Sequence, residues 1–129
     1  MPHSILIVDD SESVRRLVRS LIEQNREWQV CGEAENGKEA VKKVQELRPD
    51  IVILDFQMPV MNGLEAAWQI AHLAPNTAMV MFTMHDDGEL RNQAHAAGIH
   101  DVVCKGDQSA QYLMVSLRNV LGSTPLRPA

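Results

Sequence analysis

The stretch IVILDFQMPV, residues 51–60, places a carboxylate directly after four apolar residues. An unbroken run of Ile, Val and Leu predicts a strand that is covered on both faces, as in a parallel sheet. Asp55 ends this run, and Pro59 is typical of a turn that follows it. Because a bare buried charge is costly, the carboxylate of Asp55 must be solvated, paired with an opposite charge or bound to a cation.

Four other apolar runs predict four more strands: SILIV (4–8), WQVCGEA (28–34), TAMVMFT (77–83) and DVVCK (101–105). A helical pattern follows every run. The apolar helix faces are Val14, Leu17, Val18, Leu21 and Ile22; Ala40, Val41, Val44 and Leu47; Leu64, Ala67, Trp68 and Ala71; and Ala110, Leu113, Leu117 and Val120, with a more polar helix at 86–98. Five strands that each precede a helix predict a single doubly wound α/β fold, with a parallel sheet and helices on both faces.

Length and charge narrow the classes of protein to which the chain can belong. Its 129 residues fit one domain, which we assign to residues 1–121. The tail at 122–129 contains two prolines and is interpreted as a frayed end or the start of a linker. The net charge of −5 argues against direct binding of nucleic acid by this chain. No apolar run reaches the roughly 20 residues of a membrane span, so no membrane segment is predicted.

The N-terminal segment and the cysteines indicate where the protein acts. The start, MPHSILIVDDSE, has no basic segment before its apolar stretch and does not resemble a signal peptide. Cys31 and Cys104 lack the spacing of zinc ligands or of a redox pair, and we interpret them as small buried apolar residues. These features predict a reducing, cytoplasmic setting.

Charged and hydroxyl side chains stand at the ends of four of the five predicted strands. Asp9 and Asp10 end the first strand, Asp55 the third, Thr83 the fourth and Lys105 the fifth. In an open parallel sheet, ligands bind beyond the carboxyl ends of the strands, so these groups should converge at one edge. The three carboxylates would repel one another unless a cation were present, and hard oxygen ligands in an incomplete shell suit Mg²⁺.

The charge of this group favours phosphoryl transfer. Three aspartates and Lys105 carry a formal charge of −2, which a divalent cation brings to zero. A neutral pocket accepts a phosphoryl group that an acidic pocket would repel, with the metal and the lysine neutralising its oxygens. An aspartate can serve as the nucleophile and form an acyl phosphate.

The ordered set of Asp9-Asp10, Asp55, Met58-Pro59 with Gly63, Thr83 and Lys105 resembles the receiver domain of bacterial two-component response regulators. The separations of 45, 28 and 22 residues from Asp10 to Asp55, Thr83 and Lys105 in turn carry this resemblance, which runs from about residue 3 to residue 121. It implies a flavodoxin-like fold with strand order 2-1-3-4-5. The style of the sequence resembles receivers joined to helix-turn-helix output domains of the LuxR class, which predicts transcription regulation.

The resemblance also implies roles for the site residues. Asp55 would accept a phosphoryl group from a phosphohistidine on a sensor histidine kinase. Asp10, Asp55 and the backbone carbonyl of Gln57 would ligate Mg²⁺ directly, with Asp9 acting mainly through water. Thr83 and Lys105 would contact the phosphoryl oxygens. Gln57 and His85 would border the path of the attacking water and tune dephosphorylation, although both are equally well explained as loop residues.

Kinase contacts would involve the first helix and the loops around Asp55. Output, including homodimerisation, would use the surface of the fourth helix, fifth strand and fifth helix, where Tyr112, Met114 and Val115 leave apolar area exposed. Two positions depart from the family pattern. Val102 stands where receivers usually carry an aromatic ring that reports phosphorylation, and Gly106 stands where a proline often follows the lysine. Both departures weaken the expected conformational response to phosphorylation more than they weaken the phosphoryl transfer itself.

Three alternatives remain open at this point. A receiver-like module that binds partners without phosphorylation is favoured by Val102. A phosphatase with an aspartyl-phosphate intermediate needs an acid two residues after the nucleophile, where this chain has Gln57. A flavin-binding variant of the fold is disfavoured because the loop DDSES after the first strand would repel a cofactor phosphate.

Overall fold

Five parallel strands form one sheet in the order β2-β1-β3-β4-β5 in the computed structural model, which describes residues 2–85 and 87–122. This order confirms the doubly wound, flavodoxin-like architecture expected from the sequence. Within those residues the strands are β1 (His3–Val8), β2 (Trp28–Ala34), β3 (Ile51–Leu54), β4 (Ala78–Thr83) and β5 (Asp101–Cys104). The helices are α1 (Glu12–Glu23), α2 (Gly37–Leu47), α3 (Gly63–Leu73), α4 (Gly88–Ala96) and α5 (Ser109–Gly122).

The sheet separates two hydrophobic cores because successive strand side chains point to opposite faces. On one face, Leu6, Val52 and Met79 pack with α2, α3 and α4. On the other face, Ile5, Ile53 and Val80 pack with α1 and α5. All four residues of β3 are at most 2% exposed, which is the burial that its unbroken apolar run predicted.

Strand register brings the carboxyl ends of the strands to one edge of the sheet. Val8 of β1 pairs with Leu54 of β3, and Leu54 pairs with Met81 of β4. Thr83, the last residue of β4, pairs with Cys104 of β5. Residues that follow these strand ends therefore lie side by side, whatever their separation in sequence.

Polar N-cap residues start the helices that follow these strands. Side-chain oxygens of Ser11, Asn36, Asn62 and Asp87 accept hydrogen bonds from backbone N–H groups in the first turns of α1, α2, α3 and α4. Asn62 and Glu65 complete a capping box. Such caps satisfy donors that a helix terminus leaves free. The helices therefore begin at defined residues close to the strand ends that they follow.

Three apolar helix residues predicted to face the core are exposed instead. Leu17 of α1 is 50% exposed, Leu47 of α2 is 41% exposed and Trp68 of α3 is 58% exposed. Each helix buries only a narrow stripe against the flat sheet. In α1 this stripe holds Val18, Ile22 and the charged Arg15, and in α3 it is made of alanines and Ile70. Residues at the margins of the stripe stay in solvent although they are apolar.

Smaller differences concern element ends and the cysteines. The fourth strand begins at Ala78 rather than at residue 77, the fifth ends at Cys104, and α4 covers Gly88–Ala96 rather than 86–98. Cys31 and Cys104 are free and only partly buried, and Cys31 packs against the core, so their interpretation as buried apolar residues holds in part. No helix in the described ranges is long and apolar enough to cross a bilayer. The interpretation of 122–129 as a tail concerns mainly residues 123–129, which lie outside the described part of the chain.

Candidate functional site

Lys105 joins two carboxylates that the sequence places far from it. Its Nζ atom donates hydrogen bonds to Asp9 Oδ2 at 2.8 Å and to Asp55 Oδ2 at 3.0 Å. The side chains of the three residues are at most 13% exposed, so water screens these ion pairs poorly. The convergence predicted for these groups at the sheet edge is therefore present in the structure.

Burial and pairing shift the pKa values of this group. Desolvation raises the pKa of Asp9 because it outweighs the hydrogen bonds from Lys105 and from the Ser11 N–H, which lies 2.9 Å from Asp9 Oδ1. Desolvation also acts to lower the pKa of Lys105, but the two carboxylates outweigh it and raise that pKa. The ammonium is therefore firmly held in its charged form, while burial opposes the ionisation of Asp9.

The three aspartates form a cluster with the spacing of a cation site. Each offers a carboxylate oxygen, and these oxygens lie within 4.8 Å of one another. Asp9 and Asp55 are buried, whereas Asp10 is exposed and its carboxylate accepts no hydrogen bond from the described residues. One lysine leaves this set with a formal charge of −2. A hard divalent cation such as Mg²⁺ fits both the oxygen donors and the missing charge.

The loop after β3 holds Asp55 in place. Asp55 Oδ1 accepts the backbone N–H of Phe56 at 2.7 Å, and the Phe56 carbonyl accepts the Gly63 N–H at 2.7 Å. Between them, Val60 adopts a left-handed φ of 71°, which is costly for a β-branched residue. Gln57, predicted to offer its carbonyl to a metal, is exposed in this loop.

Thr83 and His85 occupy the neighbouring strand end. Thr83 is completely buried, and its hydroxyl accepts the backbone N–H of His85 at 3.3 Å. The His85 ring stands edge-on to the Phe56 ring, with centroids 5.5 Å apart. Its Nδ1 is buried and has no hydrogen-bond partner among residues 2–85 and 87–122. Thr83 and His85, predicted for different roles, are therefore linked by this hydrogen bond, and the His85 ring lies beside the residue that follows Asp55.

Val102 lies on β5, where the family pattern has an aromatic residue. Its side chain is 9% exposed and belongs to the core beneath α2, α3 and α4. Its carbonyl accepts a hydrogen bond from Arg91 at 3.2 Å. Val102 also lines a cavity of about 580 Å³ between β5, α4 and α5, together with Tyr112, Val115 and Ser116. The small side chain of Val102 therefore lies beside a cavity, at the position where receivers usually carry an aromatic ring.

Sequence reasoning missed a charged network beneath the acidic cluster. Arg15 is 9% exposed, and its guanidinium donates to the Asp9 backbone carbonyl at 2.7 Å and to Glu33 Oε1 at 2.8 Å. Glu33 also binds Arg19, at 2.8 Å and 2.9 Å. Desolvation acts to raise the pKa of Glu33, but the two arginines outweigh it and lower that pKa. The only sequence signal for this network was an arginine next to the apolar stripe of α1.

Comparisons with known proteins agree with this geometry. Residues 5–116 match the family model of the response regulator receiver domain. The chain is similar to the chemotaxis protein CheY of Thermotoga maritima, with 36% identity over 111 residues that cover 86% of this chain and 92% of that protein. It also resembles a crystal structure of a LuxR-family two-component response regulator from Aurantimonas sp. SI85-9A1, with a TM-score of 0.86, 30% identity and coverage of 95% and 87%.

A third relative is much longer than the chain. A protein-glutamate methylesterase/protein-glutamine glutaminase of Caldanaerobacter subterraneus subsp. tengcongensis is 40% identical over 102 residues, which are 78% of this chain and 28% of that protein. A second methylesterase relative, from Bacillus licheniformis, is matched over 33% of its length. The chain therefore spans about a third of these relatives, and the activity in their names does not transfer to it.

Proposed function

The chain belongs to the response regulator receiver domain family, and from this premise we propose that it is a phosphoacceptor switch that takes a phosphoryl group from a sensor histidine kinase on Asp55. The observation that carries the proposal is the contact of one ammonium with two carboxylates, Lys105 with Asp9 and Asp55, at the carboxyl edge of the sheet. A purely structural ion pair would not need the third carboxylate of Asp10 beside it.

The transfer uses groups that already surround Asp55. A carboxylate oxygen of Asp55 attacks phosphorus, and the bond from phosphorus to the histidine nitrogen breaks. The electron pair of that bond returns to the imidazole, which takes a proton from solvent, and an acyl phosphate remains on Asp55. Lys105 stays within reach of the transferred oxygens, and the Thr83 hydroxyl can turn from the His85 N–H towards one of them.

Magnesium fits the acidic cluster as the cofactor of this reaction. Asp10 and Asp55 would hold it directly, together with the Gln57 backbone carbonyl, while Asp9 would act through water. When bound, Mg²⁺ neutralises charge on the phosphoryl oxygens. Asp10 supports this assignment because its carboxylate is exposed and takes no hydrogen bond from the described residues.

The proposed output surface comprises α4, β5 and α5. Tyr112 and Val115 on α5 are 57% and 45% exposed and line the same cavity against β5, so they offer apolar area to a partner. Phosphorylation would shift the population of the Thr83 loop and this neighbouring surface, favouring a homodimer or the docking of a partner. With Val102 in place of a ring, the signal would pass through the Thr83 loop and repacking around it.

The wider assignment follows from the family. We assign residues 1–121 to the receiver domain and 122–129 to a tail or a linker towards an output domain, with transcription regulation as the expected output. The protein would act in the cytoplasm, with no activity on other substrates beyond its own phosphorylation and dephosphorylation. A receiver-like module that only binds partners is the second candidate, and the observation that favours it is Val102.

Intact mass measurement separates these candidates. The protein is incubated with acetyl phosphate, with and without Mg²⁺, and compared with Asp55→Ala. The proposed switch gains the mass of one phosphoryl group only with Mg²⁺, and Asp55→Ala gains none. An unmodified parent protein, or equal labelling of Asp55→Ala, would overturn the proposal in favour of the partner-binding module or of another acceptor residue.

A further inference from the structure

Arg15 is a buried charge that the phosphoryl chemistry does not use. Its side chain is 10% exposed, and a guanidinium at that depth is retained only where its hydrogen bonds are satisfied. Nη1 binds the Asp9 carbonyl at 2.7 Å, Nε binds Glu33 at 2.8 Å, and Nη2 lies 3.9 Å from Glu35. The planar guanidinium thus donates hydrogen bonds to a backbone carbonyl of the acidic site and to a carboxylate of β2 at the same time.

Glu33 is anchored in turn from two helices. Its Oε2 binds Arg19 of α1, and its backbone carbonyl accepts a hydrogen bond from Lys43 of α2. Arg15 therefore cannot swing away from Asp9 without breaking its bond to a residue that is itself fixed. The guanidinium is a rigid link between β2 and the end of β1.

The carbonyl that Arg15 holds belongs to the peptide between Asp9 and Asp10. Because a peptide unit is planar, fixing its carbonyl fixes the direction in which the Asp10 backbone leaves it. The Asp10 side chain is exposed and has no hydrogen bond from the described residues to orient it. Its carboxylate nevertheless lies within 4.8 Å of those of Asp9 and Asp55. The backbone, rather than side-chain contacts, places this ligand.

We propose that Arg15, braced by Glu33, is a positioning residue that sets the Asp9–Asp10 peptide and thereby the Asp10 carboxylate for Mg²⁺. This role rests on the proposed function, since it presumes a cation at the acidic cluster. Outer contacts that orient metal ligands typically change metal affinity by about 10- to 100-fold when they are lost. The role concerns cation affinity and not the phosphoryl step.

The sign of the effect separates positioning from plain electrostatics. Loss of a positive charge that contacts the backbone of the acidic cluster would by itself strengthen cation binding. Loss of a positioning contact weakens it. Weaker Mg²⁺ binding after removal of the Arg15 charge therefore has no simple electrostatic explanation.

The experiment measures the Mg²⁺ dissociation constant of the full chain by titration calorimetry. Variants are Arg15→Gln, Arg15→Lys and Glu33→Gln, with Arg16→Gln as the matched control. Arg16 is on the same helix and carries the same charge, but its side chain is 77% exposed and binds Glu12 instead. We expect the dissociation constant to rise on the order of tenfold in Arg15→Gln, less in Arg15→Lys and Glu33→Gln, and not in Arg16→Gln.

A second readout and a fallback variant make the outcome decisive. At saturating Mg²⁺, labelling of Asp55 by acetyl phosphate should stay within about twofold of the parent rate in every folded variant, because the chemistry itself is untouched. If Arg15→Gln does not fold, Arg15→Lys decides, because it keeps the positive charge, so weaker Mg²⁺ binding then reports the lost contacts of the guanidinium fork and not a change of charge. Unchanged or tighter Mg²⁺ binding in the folded variants overturns the positioning role. A parent protein that takes up no Mg²⁺ overturns the proposed function instead.

Discussion

Gly63 lies so close to Asp55 that a Cβ atom at residue 63 would stand 2.0 Å from the Asp55 carbonyl oxygen. Real Cβ atoms do not approach backbone atoms to this distance, so a side chain at Gly63 would force the backbone of Asp55 to move. The first residue of α3 is therefore part of the support of the proposed phosphoacceptor. This relationship gives a physical reason for the glycine eight residues after Asp55.

The first prediction concerns Gly63→Ala. Overpacking against backbone should lower the free energy of unfolding by roughly 1–3 kcal/mol and slow the labelling of Asp55 by acetyl phosphate. Gly88→Ala is the matched control, because Gly88 also follows an N-cap at the start of a helix, but its added Cβ would meet no atom of the described residues within 4 Å. Urea unfolding measures the free energy of unfolding of both variants. Equal urea midpoints for the two variants would show that the close approach of residue 63 to Asp55 does not affect stability.

A second prediction concerns Lys105→Met, which removes the ammonium and keeps the length of the side chain. Labelling of Asp55 should slow on the order of 100-fold, because the ammonium that contacts Asp55 Oδ2 is lost. Mg²⁺ binding should persist or tighten, since a competing positive charge has gone. The exposed Lys42, changed to Met, serves as the control. Labelling of Lys105→Met at the parent rate would remove Lys105 from the proposed mechanism.

The fold was predictable because most strands are apolar runs, while the more polar β2 lies at the sheet edge. IVIL at 51–54 is uniformly apolar and is buried on both faces, and the acids and the lysine that follow the strands meet because parallel strands end at one edge. The convergence of Asp9, Asp55 and Lys105 thus follows from strand order and length alone. Their hydrogen bonds, at 2.8 Å and 3.0 Å, depend on side-chain geometry that the sequence does not specify.

Residues that depend on packing were predicted less well. Hydrophobic periodicity ranks residues by polarity, so it assigned Leu17, Leu47 and Trp68 to the core and gave no signal for Arg15. In the structure these three apolar residues are exposed, and Arg15 is buried. Arg15 is tolerated because a backbone carbonyl and Glu33, from another strand, satisfy it. Partners this distant in sequence leave no local pattern.

Thr83→Val tests whether the hydroxyl carries the signal. The valine has nearly the same volume, so we expect the variant to fold and to accept a phosphoryl group on Asp55. Without the hydroxyl, the backbone at His85 loses its bond to Thr83, and the phosphorylated protein should show no change in the amide NMR signals of Tyr112 and Val115. Thr83→Ser keeps the hydroxyl and should retain the change. If phosphorylated Thr83→Val shows the same NMR changes at Tyr112 and Val115 as the parent, the Thr83 hydroxyl does not carry the signal.

The lifetime of the phosphoryl group should depend on His85. Its ring packs edge-on against Phe56, next to Asp55, so His85→Ala opens space for water and should shorten the half-life of phospho-Asp55 several-fold. Gln57→Ala tests the other predicted tuning position in the same assay, and the exposed, distant His72→Ala is the control. Half-lives equal to that of the parent in both site variants would show that Gln57 and His85 are ordinary loop residues.

The pH dependence of stability should contain a contribution from Glu33. Desolvation opposes its charge, but Arg19 and Arg15 lower its pKa below the ordinary value of 4.5, so the unfolded chain binds its proton more readily than the folded chain does. The contribution is therefore present above the unfolded pKa and is lost as the pH falls through the lowered folded value. Glu35 and Lys43 also face this group, and Glu35 lies on the side of Arg15.

Glu33→Gln isolates this contribution. Near neutral pH the variant should be less stable than the parent by on the order of 1 kcal/mol, a small value because solvent reaches the 31% exposed side chain of Glu33. The difference should shrink as the pH falls below 4.5, because the parent then loses the same charge. Urea unfolding at a series of pH values measures it, with the exposed Glu46→Gln as control. A stability difference that stays constant across that range would mean that the two arginines do not favour the charged form of Glu33.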